Sequence, residues 1–243
     1  MLRNFLFLKQ LLYIELGAPA FDMATEHCFA MQSGSTLPFC NRVCGTNATS
    51  IAEIAVIRAF YGNIPFRWFV EDTNSSLIQL LEQTGFQHQV TYPTMIIDLV
   101  NVQPVNYDAE ITVREIGWSD LSLWLEIVMR SYTISSEAEF AKFINYLIER
   151  AVSGSLKFYG AYYQTQPVAV SMTIRHQDVV GLHWVGTLPE YRGKGLGYAV
   201  SHQPLLDARQ QGCKQAILLA SELGKSVYDK IGFKQYSLCK VYR

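Results

Sequence analysis

The chain has 243 residues, 49% of them apolar and 17% charged, with a formal net charge of -1. This is a core-forming composition, which excludes a disordered chain. The near-zero charge excludes a general pull toward nucleic acid or anionic membrane, so any anion binding has to be local. The length is more than one average domain needs and suits two small ones.

The opening "MLRNFLFLKQLLYIELGAPA" has a basic residue, an apolar stretch and an Ala-Pro-Ala, but Lys9, Gln10 and Glu15 interrupt it. It predicts an amphipathic helix over residues 1–16, not a leader or a membrane span. No other run approaches the ~18 apolar residues of a spanning helix. The five cysteines are odd in number and scattered. Cys40 and Cys44 lack a second Cys or His pair nearby, so no zinc site is expected, and reduced thiols in a cytoplasmic protein are.

In chain order, "NRVCG" reads as a short strand. "NATSIAEIAVIRAFYG" reads as a helix with Ile51, Ile54, Ala55 and Ala59 on one face and Gly62 as its stop. "IPFRWFVE" is a strand. "TNSSLIQLLEQTG" is a helix capped by Asn74 or Ser75 and ended by Gly85. "FQHQVTYPTMIIDLV" is extended chain broken at Pro93. The pattern lapses in "NVQPVNYDAE", which places a domain boundary near residue 105 and gives domains 1–105 and 106–243.

Beyond it, "ITVREI" is a strand, and "GWSDLSLWLEIVMRSY" and "SSEAEFAKFINYLIERAV" are helices. "LKFYGAYY", "PVAVSMTIRH" and "VVGLHWVGTL" are three successive strands. A glycine loop follows, then a helix from about Tyr198 to Gln211, a strand "QAILLAS", a helix "GKSVYDKIG" and two short strands within "FKQYSLCKVYR". The order implies an α/β (α+β) fold with a mixed, mostly antiparallel sheet flanked by helices. "FRWFVEDTNSSLIQLLEQTGFQ" and "QAILLASELGKSVYDKIGFKQ" share the order strand, loop, helix, Gly-Phe. A duplicated fold is expected from that echo.

Chemistry concentrates in "LPEYRGKGLGYAV", residues 188–200. A strand that feeds glycines and then a helix makes an anion cradle, because a helix N-terminus has open N–H groups and partial positive charge. Glycine lets backbone approach a phosphate closely and reach positive φ. Two phosphate loops do not fit. The dinucleotide fingerprint needs G-x-G-x-x-G, whereas Gly193, Gly195 and Gly197 are spaced by two. The Walker A loop fails because Leu219 stands where its first Gly belongs, ahead of "GKS" at 224–226.

Arg192-Gly193-Lys194-Gly195-Leu196-Gly197 resembles the R/Q-x-x-G-x-G/A motif of the GNAT superfamily of N-acetyltransferases. Pro189-Glu190-Tyr191 and the downstream "SVYDKIGF" also resemble elements of that family in order and spacing. The resemblance covers residues 109–243. It implies that amides from Gly193 to Gly197, with Arg192 and Lys194, hold the pyrophosphate of acetyl-CoA. It implies that backbone at Val185, Gly186 and Thr187 pairs with the pantetheine arm and that an N–H near Val185 polarises the thioester carbonyl. Tyr228 matches the family tyrosine that protonates the departing thiolate. Ser221 stands where the family often has a cofactor-contacting Asn. No metal is implied.

The general base is less defined. The family often has a carboxylate on the strand before the loop, and here the alternating positions offer His183. A packing role for His183 and a base role for Glu222 are the alternatives. His202 reads as packing, and His27, His88 and His176 have no motif context. In the first half, Leu81 stands where the echo has Tyr228, and "GTNATS" stands where it has "RGKGLG". That half is therefore expected to bind no cofactor and to shape the acceptor cleft or stabilise the second half. Phe66, Trp68 and Phe69 read as interdomain core.

The sequence thus points to an acetyl-CoA-dependent N-acetyltransferase with a small-molecule or peptide amine as acceptor and neither nucleic acid nor membrane as partner. A catalytically silent acyl-CoA-binding or regulatory module is the alternative. Oligomeric state is not legible.

Overall fold

The computed structural model describes residues 22–24, 28–45, 50–151 and 153–243. The helix expected over residues 1–16, His27, and residues 46–49 of "GTNATS" lie outside them. Two compact units result. Of the described residues, the first takes those up to 94 with 138–151 and 235–243, and the second takes 95–137 and 153–234. Strands alternate with flanking helices in a mixed, mostly antiparallel arrangement.

In the first unit the strands run β1 (Met23–Ala24), β2 (Cys28–Gln32), β3 (Asn41–Gly45), β4 (Arg67–Glu71) and β11 (Lys234–Tyr242). Only β3 and β4 are parallel, and helix α1 (Ile51–Tyr61) joins them. The Ser50 hydroxyl accepts the Glu53 N–H and caps α1, while Gly62 ends it at φ +56. Asn74 caps α2 (Ser75–Gln83) in the same way, through the Leu77 N–H. The core gathers Ile54, Ile57, Tyr61, Val70, Leu77 and Leu81 around the wholly buried Trp68, so Trp68 belongs to this unit's own core. Helix α4 (Glu137–Arg150) lends Phe140 and Phe143 to this unit, against Phe39 and the Arg42 guanidinium.

Two expectations are corrected here. Strand β5 (His88–Asp98) runs straight through Pro93. Proline's φ near -65° lies within the extended range, and its only loss is one donor. The chain end is one long strand, β11, and not two short ones. No Gly or Pro interrupts it, and Cys239–Tyr242 pair antiparallel with Trp68–Glu71.

In the second unit, residues 95–98 of β5 are followed in sheet order by β10 (Gln215–Leu219), β9 (Val179–Thr187), β8 (Gln166–His176), β7 (Leu156–Tyr163) and β6 (Ile111–Ile116). Strands β6 to β9 form antiparallel pairs, and β9 with β10 is parallel. Helix α3 (Leu121–Tyr132) follows a single 3-10 turn. Helix α5 (Leu196–Gln210) starts two residues earlier than the sequence suggested, and α6 (Glu222–Ile231) ends at Gly232. Met95, Ile97, Val180, Leu182, Leu205, Ala216, Leu218, Ile231 and Phe233 form the core. No helix of the described residues is long and apolar enough to cross a membrane. All five cysteines are buried.

Candidate active site

Strand β9 organises the site. Its parallel pairing with β10 covers only Val179–Gly181 against Gln215–Ile217. Beyond that the strands run on to Thr187 and Leu219 without paired positions. The gap leaves this edge of β9 without a strand partner, a template for an extended, amide-bearing chain.

On its other edge β9 bulges. Val170 pairs with Gly186 and Met172 with His183, so three steps of β9 meet two of β8. Trp184 takes φ +51 there. A bulky side chain enters that region only at a cost of roughly 1–2 kcal/mol. The bulge inverts the strand's alternation. Val180 and Leu182 face the core, and Val185, not Trp184, is the next residue to pack against it. The registers put Phe158, Met172 and His183 side by side on the opposite face. That face meets α3, with the Trp124 ring 4.9 Å from Phe158 and the Trp124 indole donating to the Ser171 carbonyl at 2.8 Å. His183 is therefore half-buried under α3, with its Nε2 shut off from solvent.

The glycine loop closes the strand end. Gly193 and Gly195 sit at φ +81 and +84, where other residues are strained. Gly195 is the N-cap of α5, and the Ala199 N–H makes the first helical bond, to the Gly195 carbonyl at 3.0 Å. Helix geometry then leaves the Leu196, Gly197 and Tyr198 amides without an intrahelical acceptor. The Leu196 side chain is buried, so this residue can offer only backbone. A Cβ on Gly193 would meet nothing within 4 Å, so the loop has an open side. An anion fits this cradle.

The two cations are not equivalent. Lys194 Nζ lies 4.3 Å from the centre of the Tyr163 ring and 5.7 Å from that of Tyr191. Tyr163 is fixed in turn by donating to Glu110, and Tyr191 by donating to Gln166. Arg192 donates to the Thr187 and Ser131 carbonyls, both at 3.3 Å, and so ties the loop to the end of β9 and the end of α3.

Tyr228 on α6 is 7% exposed and lies in the core cluster. Burial, and secondarily the neighbouring Tyr132, push its phenol well above the ordinary tyrosine range. It is held there by an absence, since a Cβ on Gly224 would stand 2.9 Å from the Tyr228 ring. Four residues apart on a helix, the two share one face. Ser221 is the N-cap of α6, its hydroxyl accepting the Gly224 N–H at 3.1 Å. Its own O–H stays a donor. Glu222 is exposed in the first turn.

The other histidines have settled roles. His202 is 2% exposed; its Nε2 faces the Gln103 carbonyl at 3.0 Å and its Nδ1 the Tyr107 hydroxyl at 2.8 Å. A carbonyl only accepts, so the proton is on Nε2 and Nδ1 accepts from Tyr107. Burial lowers the His202 pKa. It fastens the 103–107 segment to α5, which makes it a packing residue. His88 Nε2 lies 2.9 Å from the Thr91 hydroxyl on an exposed stretch, and His176 ends β8.

Three residues escaped the sequence reading. Gly224 had a legible signal, a glycine one turn before the candidate tyrosine. Ser131 and Tyr132 had none. They end α3, and the fold brings them onto β9. A Cβ on Gly186 would stand 2.7 Å from the Ser131 side chain, and the Tyr132 hydroxyl donates to the Val185 carbonyl at 2.9 Å.

Residues 118–228 match the family described as acetyltransferase (GNAT) domain. No curated protein matches the chain by sequence. Among solved structures, a GCN5-related N-acetyltransferase from Kribbella flavida is 14% identical, with a TM-score of 0.75 over 97% of this chain and 93% of its own. A GCN5-related N-acetyltransferase from Sphaerobacter thermophilus is 14% identical, with a TM-score of 0.65 over 88% and 75%. A functionally unknown conserved protein from Staphylococcus epidermidis is 12% identical, with a TM-score of 0.66 over 93% and 94%. At such identities these likenesses show the fold. Residues 118–228 thus match a GNAT acetyltransferase domain, and the chain as a whole shares its fold with solved GCN5-related N-acetyltransferases.

Proposed function

We propose that the chain is an N-acetyltransferase that passes the acetyl group of acetyl-CoA to a primary amine on a small molecule or peptide, by direct attack in a ternary complex. The observation that carries this reading is the parting of β9 from β10 beside the glycine cradle of α5. The amides from Gly193 to Gly197 would take the pyrophosphate, and the open edge of β9 from Val185 to Thr187 the pantetheine arm. Arg192, Lys194 and Ser221 would border that arm and its phosphates.

The amine nitrogen attacks the thioester carbon, the C–N bond forms and the C–S bond breaks. A Val185 N–H facing the carbonyl oxygen would stabilise its growing charge. His183 takes the ammonium proton, directly or through water, and Tyr228 gives its proton to the leaving sulfur. Burial raises the Tyr228 pKa, so the phenol holds the proton it would donate throughout the neutral range. Glu222, exposed at the start of α6, is the alternative base.

The first unit would hold no cofactor. It repeats the helix ending of the second, since the Phe86 N–H donates to the Leu81 carbonyl at 2.9 Å and the Phe233 N–H to the Tyr228 carbonyl at 3.0 Å. Leu81 thus takes the place of Tyr228 and offers no proton. This supports our reading of residues 1–105 and 106–243 as two copies of one ancestral fold, with one active site per chain.

The second reading is a silent acyl-CoA-binding module, favoured by the enclosure of His183 Nε2. Both readings predict that coenzyme A raises the melting temperature while ATP and NAD do not. A ligand at 100 times its Kd stabilises by about 2.7 kcal/mol. Thiol release from acetyl-CoA with a panel of amines then separates them. An absent shift with coenzyme A sinks both, and absent thiol release with every amine sinks the enzyme.

A further inference from the structure

We propose that Tyr132 is a positioning residue of the transfer site, holding the β9 bulge in the one conformation that presents the Val185 backbone at the gap. This rests on the acetyltransferase reading. Trp184 at φ +51 is a strained, bulky residue, and such strain persists only where surrounding structure enforces it. Three contacts from the end of α3 do so. The Tyr132 ring meets the Trp184 ring edge-on at 5.4 Å. The Tyr132 hydroxyl donates to the Val185 carbonyl at 2.9 Å. Gly186 lets the Ser131 side chain come closer than any Cβ would allow.

The hydroxyl is the specific part. The bulge takes Val185 out of register with β8, so its carbonyl needs a partner from elsewhere. Tyr132 supplies it while 46% exposed, which means that this contact stands at the open side of the site rather than deep in the core. Tyr132 is also close enough to Tyr228 to raise its pKa, so the two phenols share one region. Thr133, at φ +56, ends the helix straight after Tyr132 and sets where that last side chain lands.

The test is Tyr132→Phe, which keeps the ring and removes the hydroxyl. Amide exchange across residues 183–187 should quicken about tenfold, with β7 unchanged. In the acetyl-CoA assay kcat should fall about tenfold, while the melting temperature holds within error. Unchanged exchange at 183–187 overturns the proposal. So does faster exchange with unchanged kcat. A wild-type protein that coenzyme A fails to stabilise would instead sink the functional reading, and the exchange arm would still decide whether Tyr132 holds the bulge.

Discussion

The Ser171 hydroxyl donates to the Val200 carbonyl at 2.7 Å, and Pro204 is the reason that carbonyl is open. Proline has no N–H, so the helical bond from position 204 back to Val200 cannot form. Strand β8 supplies the donor that α5 lacks. Ser171→Ala should leave a buried carbonyl unsatisfied and cost about 1–3 kcal/mol in chemical denaturation. In a Pro204→Ala background, where the helix satisfies itself, the same change should cost less than half as much.

Gly224 should be intolerant in an unusual way. Gly→Ala inside a helix normally stabilises by about 1 kcal/mol. Here the added methyl would stand 2.9 Å from the Tyr228 ring and 3.2 Å from the Ser221 hydroxyl. Gly224→Ala should therefore lower kcat without raising the melting temperature. Tyr228→Phe should lower kcat about 100-fold, in line with loss of a general acid. Because burial raises the Tyr228 pKa, its stabilising share is present below the unfolded value near 10 and lost only above it. No Tyr228-dependent limb should appear in the pH profile below about pH 9.

The cradle glycines can be tested against a positive-φ glycine elsewhere. Gly193→Ala forces a side chain to φ +81 and points it into the open side of the loop. It should cost about 1–2 kcal/mol of stability and raise the Kd for coenzyme A at least about tenfold by calorimetry, because the methyl occupies ligand space. Gly62→Ala at φ +56, in the first unit, should also cost stability and leave that Kd unchanged.

His202 should make the second unit acid-sensitive. Its folded pKa lies below the unfolded value near 6.5, so the unfolded chain binds more protons in that range. Stability from this source is present above pH 6.5 and is lost as pH falls through the folded pKa. The melting temperature should drop between pH 6.5 and 5, and His202→Gln should flatten that drop while lowering the plateau.

Much of this was legible in the chain. Asn74 and Gly62 announced helix ends because capping is chemistry of one or two residues. "RGKGLG" announced a positive-φ turn at a helix start, because such backbone needs glycine wherever the loop folds. The shared way in which α2 and α6 end was readable from Gly85-Phe86 and Gly232-Phe233 alone, since both helices close by the same local bonds. What stayed hidden depends on partners far apart in sequence. Strand β5 continues past Pro93 because a sheet can spare one donor. The Trp184 bulge and the hold of Tyr132 on Val185, 53 residues away, arise only when α3 lies on β9. Sequence by itself determined which residues carry charge, protons and bare backbone. Tertiary structure alone decided where that backbone opens, because strand divergence is set by packing against other elements and leaves no local mark.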